Sequence, residues 1–246
     1  MLLHERIERQ GNWIFRYRSY LPILMLLLIL VEMQDYSYLS NVHRLNLIWE
    51  LFSFSIASLG LAIRIYTIGY VPRGTSGRNT KKQIADVLNT TGIYSIVRNP
   101  LYLGNFFIWF AASLFVRELW LSLLVVTIFY AYHERVVFAE EQFLCRKFGN
   151  SYIEWANITP AFVPNFKLWK PTHMKFVIAT VLKREYHGFF GIIATFALLE
   201  AAGNYFAVGN FHLDAVWQVF LAAGFGIYCI LSLLSRYTNL LYVEGR

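Results

Sequence analysis

Arg98-Asn99-Pro100-Leu101-Tyr102-Leu103-Gly104 opens an apolar run that continues to Phe115. After the short turn Val116-Arg117-Glu118, a second apolar run starts at Trp120 and leads through Tyr132 toward Glu140-Glu141 and Phe148. Backbone in hydrocarbon must satisfy its own hydrogen bonds, so two apolar runs joined this tightly predict a helical hairpin in a membrane. Charges at the ends of such helices are costly and usually mark a site rather than a fold. The hairpin returns the chain to the side it left, which places Arg98 and the glutamate pair on one membrane face.

The rest of the chain fits that reading. Of 246 residues, 57% are hydrophobic, 18% aromatic and only 15% charged, against about 25% charged in a soluble domain. The apolar excess falls in blocks near spanning length: residues 21–31, 47–70, 101–115, 120–132 running on to Phe148, 188–208 and 215–234. Residues 174–182 read as a short interfacial helix flanked by Lys175, Lys183 and Arg184. Residues 149–172 read as irregular, with Pro160, Pro164 and Pro171. The expected fold is all-α: a polytopic membrane helix bundle of about six transmembrane helices. It is one domain over 1–246, with a basic loop at 71–91, a core at 92–164 and a C-terminal helical hairpin at 186–246.

On a six-span layout, 19 of the 22 lysines and arginines fall on the side that holds both termini, Arg98 and Glu140-Glu141. The positive-inside bias makes that side cytoplasmic. The net charge of +7 then suits anionic lipid headgroups, and no basic-aromatic platform outside the spans points to nucleic acid. Cys145 and Cys229 lie far apart and on different helices, so neither a disulfide nor a metal site is expected. The polar N-terminal stretch before residue 21 lacks a small-residue cleavage site, and the first helix is read as its own insertion signal.

Three clusters carry the chemistry. In the first, Pro100 suits the opening turn of a helix, with Asn99 as its N-cap. The free amides of that turn and the charge of Arg98 favour an anion. In the second, Tyr132-His133-Glu134 leads to Glu140-Glu141 and Cys145. Helix spacing puts His133, Val137 and Glu140 on one face and Glu134, Phe138 and Glu141 on the next. The two carboxylates must therefore divide their work: one meets a ligand while the other holds an arginine such as Arg98. The third cluster is Phe148-Gly149-Asn150-Ser151-Tyr152 and Trp155, with Gly149 as a helix C-cap and the aromatics as either a lid or interfacial anchors.

In order and spacing, Gly92-Ile93-Tyr94, Arg98-Asn99-Pro100-Leu101-Tyr102-Leu103-Gly104, Glu140-Glu141-Gln142-Phe143-Leu144 and Phe148-Gly149-Asn150-Ser151-Tyr152 resemble one membrane superfamily. It includes isoprenylcysteine carboxyl methyltransferases and phospholipid methyltransferases, and the likeness spans residues 92–164. One departure stands at its centre: Asn99 replaces the commoner histidine. The resemblance implies S-adenosylmethionine bound at the cytoplasmic face by Gly92, Tyr94, Arg98, Asn99, Pro100, Leu101, Tyr102, Gly104, Glu140, Glu141 and Tyr152. It also implies a lipid acceptor arriving from the bilayer. Arg98, Glu140, Glu141 and His133 are the expected catalytic group. Arg98 suits the carboxylate of the methionine moiety, and a glutamate suits its ammonium or the ribose hydroxyls.

A carboxylate or phosphate acceptor needs no base, whereas an amine would need His133 or a glutamate. The stretch 73–82 offers Arg73, Ser76, Arg78, Lys81 and Lys82 as a cradle for phosphate oxygens, with Arg64 as support. That points to a lipid phosphate, such as the lipid A phosphate methylated by bacterial members of the superfamily, and to the inner membrane. The alternatives are a phospholipid amine or a prenylated-cysteine carboxylate as acceptor. Farther off stand an NADPH-dependent sterol or enone reductase, which shares a similar arginine-proline-tyrosine-glycine motif, and a non-enzymatic channel or assembly factor.

Overall fold

Among the described residues, eight α-helices follow one another: α1 (Leu3–Tyr17), α2 (Leu21–Glu32), α3 (His43–Gly69), α4 (Pro100–Val116), α5 (Leu119–Phe148), α6 (Asn150–Ile158), α7 (Ile178–Val208) and α8 (Ala215–Tyr237). The computed structural model describes residues 2–18, 20–72 and 83–245. Among these residues there is no strand, only one isolated bridge between Gly92 and Lys170.

Four helices (α3, α5, α7 and α8) are long and apolar enough to cross a membrane. A fifth span results if α1 and α2, bent by 76° at their junction, count as one. The apolar α4 has 17 residues, roughly 25 Å at 1.5 Å per residue, so a six-span layout rests on counting both α2 and α4. Residues expected to form a separate interfacial helix near 174–182 do not. The chain is non-helical up to Val177, whose amide donates to the Gly69 carbonyl at 3.0 Å, and Ile178 starts the single long helix α7. The reason is continuity: Lys183, Arg184 and Glu185 form a polar band on the first turns of α7 rather than a break. The stretch read as irregular after Gly149 contains α6, and the polar N-terminus is helical as α1.

The core lies between α2, α3, α4, α5, α7 and α8. Ile29, Met33, Phe115, Leu121, Phe196, Leu199 and Trp217 are fully enclosed. Phe54 meets Phe196 and Trp217 edge-on at 5.4 and 5.5 Å, a geometry that ring quadrupoles favour. The outward faces of α8 stay apolar at Val219, Phe225, Ile230 and Leu233, as lipid contact requires.

The end of the bundle away from Arg98 is tied by polar groups. Glu50 accepts from Asn46 at 2.6 Å and from the Trp217 indole at 2.8 Å. Asn46 in turn accepts from Tyr36 at 2.9 Å and from Arg117. Arg117 adopts the left-handed conformation (φ 69°) that ends α4. Its guanidinium offsets that strain by donating to the Ser37 carbonyl and lying 4.5 Å from the Tyr36 ring centroid. Glu200 accepts from Asn204 at 2.6 Å and from the Asp214 amide at 3.0 Å. Both glutamates are buried, and Glu200 Oε2 has no hydrogen-bond partner.

The closest helix crossing joins α3 to α4. A Cβ on Gly60 would lie 2.5 Å from the Gly104 carbonyl oxygen, and one on Gly104 would lie 2.6 Å from the Arg64 Cγ and 2.7 Å from the Gly60 carbonyl oxygen. Small residues at such a crossing let helix backbones touch. A Cβ on Gly191 meets nothing within 4 Å. Gly60→Ala is therefore expected to destabilise the protein by about 1–3 kcal/mol, while Gly191→Ala leaves thermal unfolding in detergent unchanged. Equal melting temperatures for the two variants would refute the tight crossing.

Candidate active site

Two stretches distant in sequence are zipped together at one end of the bundle. The Gly92 amide donates to the Lys170 carbonyl at 2.8 Å, the Asn165 amide to Ile96 at 2.9 Å, and the Arg98 amide to Pro160 at 2.9 Å. The Trp155 indole donates to the Tyr94 carbonyl at 3.2 Å, and the Lys170 amide to the Ser95 hydroxyl at 2.9 Å. Trp155 thus folds back over the loop. Gly92 (φ 60°, ψ −136°) and Gly149 (φ 57°, ψ −133°) both hold a backbone shape that side chains disfavour. At Gly149 a Cβ meets no neighbour, so backbone conformation is the reason for glycine there.

Pro100 opens α4 and Asn99 holds the N-cap position as expected, its carbonyl accepting from the Leu103 amide at 3.1 Å, but its side chain makes no capping bond. Its side-chain amide instead donates to the Ala161 carbonyl at 3.0 Å, across the zipped loops. Loop-to-loop bonding displaces the local cap because the acceptor is a carbonyl brought in by the third cluster. A histidine N–H is a donor of the same kind, which gives a physical reason for the exchange of histidine for asparagine.

The glutamates divide their work as helix geometry requires. The Arg98 guanidinium pairs with Glu141 at 2.8 Å. Tyr152, buried on α6, hydrogen-bonds with both partners. Glu140 turns the other way and accepts from the Tyr102 hydroxyl at 2.9 Å. His133 is buried, stacks on Phe129 at 3.7 Å and meets Tyr102 edge-on at 4.8 Å. Its Nδ1 lies 2.9 Å from the Phe129 carbonyl oxygen; a carbonyl only accepts, so Nδ1 carries the proton and Nε2 is the basic nitrogen. Ile96, Val97 and Leu103 pack with Ile63, Phe107 and Phe162 into a small apolar base under this constellation. Leu101 lies in the same first turn of α4 and is half-buried.

Burial raises the Tyr94 phenol above its ordinary value, and the nearby Glu140 carboxylate adds to that while Arg184 opposes it. Burial raises Tyr152 as well, with Glu141 adding and Arg98 opposing. Both phenols keep their protons at neutral pH.

Arg64 is placed differently from a headgroup contact. Its Nε and Nη2 form a bidentate pair with Glu185 at 2.8 and 2.7 Å, and its Nη1 donates to Asn105 at 2.6 Å. This junction of α3, α4 and α7 passes directly over Gly104. The sequence reading missed Glu185 and Asn105 because they lie 121 and 41 residues from Arg64. A charge at the head of an otherwise apolar helix is the signal that points to Glu185. Arg73, Ser76, Arg78, Lys81 and Lys82 lie outside the described residues.

A cleft of about 710 Å³ opens beside Arg98, lined by residues of α6 and of the turn around Pro160 and Pro164, with Asn157, Thr159 and Lys167 among its polar groups. Arg98 Nη1 meets Glu141 Oε1 at 2.8 Å, while Arg98 Nε is buried without a hydrogen-bond partner. Buried groups of this kind normally find partners. An unused guanidinium donor suits an anionic ligand group such as a carboxylate.

Residues 55–151 match the model of a family described as phospholipid methyltransferase. The match runs from near the middle of α3 through α5, and includes Arg64, Arg98, Tyr102, Gly104, Glu140 and Glu141. It agrees with the isoprenylcysteine and phospholipid methyltransferase superfamily expected from the motifs, and supports a membrane methyltransferase acting on lipids or related substrates. No curated protein and no solved structure matches the chain.

The geometry makes Asn99→His the tolerated exchange and Asn99→Asp the damaging one, since aspartate lacks the N–H that meets Ala161. Limited proteolysis of the loop at 155–170 should be unchanged in the first variant and faster in the second. Equal cleavage in both would show that the bond to Ala161 does not hold the loops.

Proposed function

We propose that the protein is an S-adenosylmethionine-dependent integral membrane methyltransferase whose acceptor is a lipid headgroup, and that the methylated group is a lipid phosphate such as that of lipid A. One observation carries this reading: the Arg98–Glu141 pair, both partners inside the segment that matches the methyltransferase family, is joined by Tyr152 and stands beside a cleft with Arg98 Nε unpartnered.

When bound, S-adenosylmethionine supplies an electrophilic methyl group on a sulfonium centre. Arg98 would hold the carboxylate of its methionine moiety, Glu141 the ammonium, and Asn157 and Thr159 line the cleft for its polar remainder. Glu140, oriented by Tyr102, points about 100° away from Glu141 around α5 and would add negative charge toward the sulfonium. Methyl transfer is an in-line displacement, so positioning of donor and acceptor provides most of the acceleration. A phosphate oxygen is anionic at neutral pH and attacks without a base, which leaves His133 as a packing partner of Tyr102 and Phe129. The basic stretch with Arg73, Ser76, Arg78, Lys81 and Lys82 is the proposed outer contact for such a headgroup. The cytoplasmic face of a bacterial inner membrane is the proposed setting.

Titration of the purified protein with S-adenosylhomocysteine and with NADPH tests the cofactor. The thioether is expected to bind and NADPH is not; binding of NADPH alone would contradict the proposal. Arg98→Ala and Glu141→Ala should each weaken S-adenosylhomocysteine by about tenfold or more, and the double variant by less than the product of the two, with a coupling of about 0.5–3 kcal/mol. Transfer of tritiated methyl into a lipid extract then tests the acceptor. Label on an amine headgroup would refute the phosphate assignment and leave the methyltransferase assignment intact.

A further inference from the structure

The N-terminal helix α1 brings a residue to the active site that none of the sequence motifs contains. It runs antiparallel along the second half of α5: Glu8 pairs with Arg146 at 2.7 Å, Gly11 fits against the Arg135 carbonyl and Ala139, and the Ile14 carbonyl accepts from the Tyr132 hydroxyl at 3.4 Å. The end of α1 therefore lies beside Tyr132. From there ring contacts run inward, Tyr132 to His133 at 5.0 Å and His133 to Tyr102 at 4.8 Å, and Tyr102 ends on Glu140.

Arg18 is the residue that follows this end. Its guanidinium lies 4.2 Å from the centroid of Phe15, a buried ring, and within electrostatic range of Tyr102, Tyr132 and Glu140. On the outer side, Trp13, Tyr17 and Tyr20 are exposed and consecutive in contact, with centroids 4.9 and 6.2 Å apart. Exposed tryptophan and tyrosine on an apolar surface collect at the depth of the lipid headgroups. Arg18 is thus a cation at headgroup depth, between a bilayer-facing aromatic trio and the carboxylate that faces away from the cleft.

We infer that Arg18 binds the phosphate of the lipid acceptor, with α1 as the wall along which the headgroup reaches Glu140 and Tyr102. This rests on the methyltransferase reading for its purpose, but not for its chemistry. A guanidinium has five donors in a planar fork; it can face a carboxylate along one edge and a phosphate along the other. Arg98 and Arg18 then serve opposite sides of α5: Arg98 faces the cleft through Glu141, and Arg18 faces the bilayer beside Glu140. Arg16, two residues earlier and exposed, carries the same charge without that inward neighbourhood.

The test uses the full chain in maltoside detergent, which has no phosphate. Its probes are dioctanoyl phosphatidic acid, dioctanoylglycerol, inorganic phosphate and S-adenosylhomocysteine, and the variants are Arg18→Gln, Arg18→Lys and Arg16→Gln. Wild type is expected to bind the phosphatidic acid in preference to the diacylglycerol and to inorganic phosphate. Arg18→Gln should weaken the phosphatidic acid by about tenfold or more, Arg18→Lys by less, and Arg16→Gln not at all. All variants should bind S-adenosylhomocysteine as wild type does, which also reports that they are folded. Undiminished phosphatidic acid binding in Arg18→Gln, or an equal loss in Arg16→Gln, would overturn the inference. Inorganic phosphate binding as tightly as the lipid would overturn its lipid part. If wild type bound phosphatidic acid through Arg18 and no S-adenosylhomocysteine, the headgroup site would stand and the methyltransferase reading would fall.

Discussion

The ion pair between Arg98 and Glu141 is the contact on which the functional end of this molecule depends. It joins the loop before α4 to the far end of α5, and Tyr152 of α6 closes over it. Partly desolvated charges of this kind are expensive unless both are satisfied. Here the pair still leaves Arg98 Nε without a partner. The site is therefore held together by an interaction that keeps one guanidinium donor unused, which suits an anionic group.

Around that pair the fold supplies rigid supports. The loops at 92–99 and 155–170 are joined by backbone bonds, so Arg98 is fixed from its own amide outward. Below, Gly60 and Gly104 let α3 and α4 touch, and the Arg64–Glu185 pair locks α7 to the same crossing. The opposite end of the bundle is closed by Glu50, Asn46, Arg117 and Trp217. Each end keeps a buried polar atom without a partner, Arg98 Nε at one and Glu200 Oε2 at the other. The Arg98 end has the cleft beside it.

Much of this was legible in the sequence where the governing rule is local. Pro100 announces the start of α4, Gly149 the end of α5, and the 100° step between adjacent helical residues separates Glu140 from Glu141. Those features follow from a few neighbouring residues. The N-cap position of Asn99 is legible in the same way, but the partner of its side chain is not, because that partner is the Ala161 carbonyl, 62 positions away. Arg64 and Glu185 are invisible as a pair for the same reason. Helix α1 was hidden because its charged composition resembles a solvated tail; its apolar contacts form only against α5. The extension of α7 to Ile178 was hidden by a charged band that looked like a boundary.

On the proposed function, the zipped loops and the end of α5 are one ligand-binding unit. Hydrogen–deuterium exchange on the detergent-solubilised protein, with and without S-adenosylhomocysteine, tests this most directly. Protection is predicted together at residues 92–99, 140–152 and 155–167, with no change around Glu50, Glu200 and Trp217. Ligand-induced protection confined to the Glu50–Glu200 end, or none in the zipped loops, would contradict it.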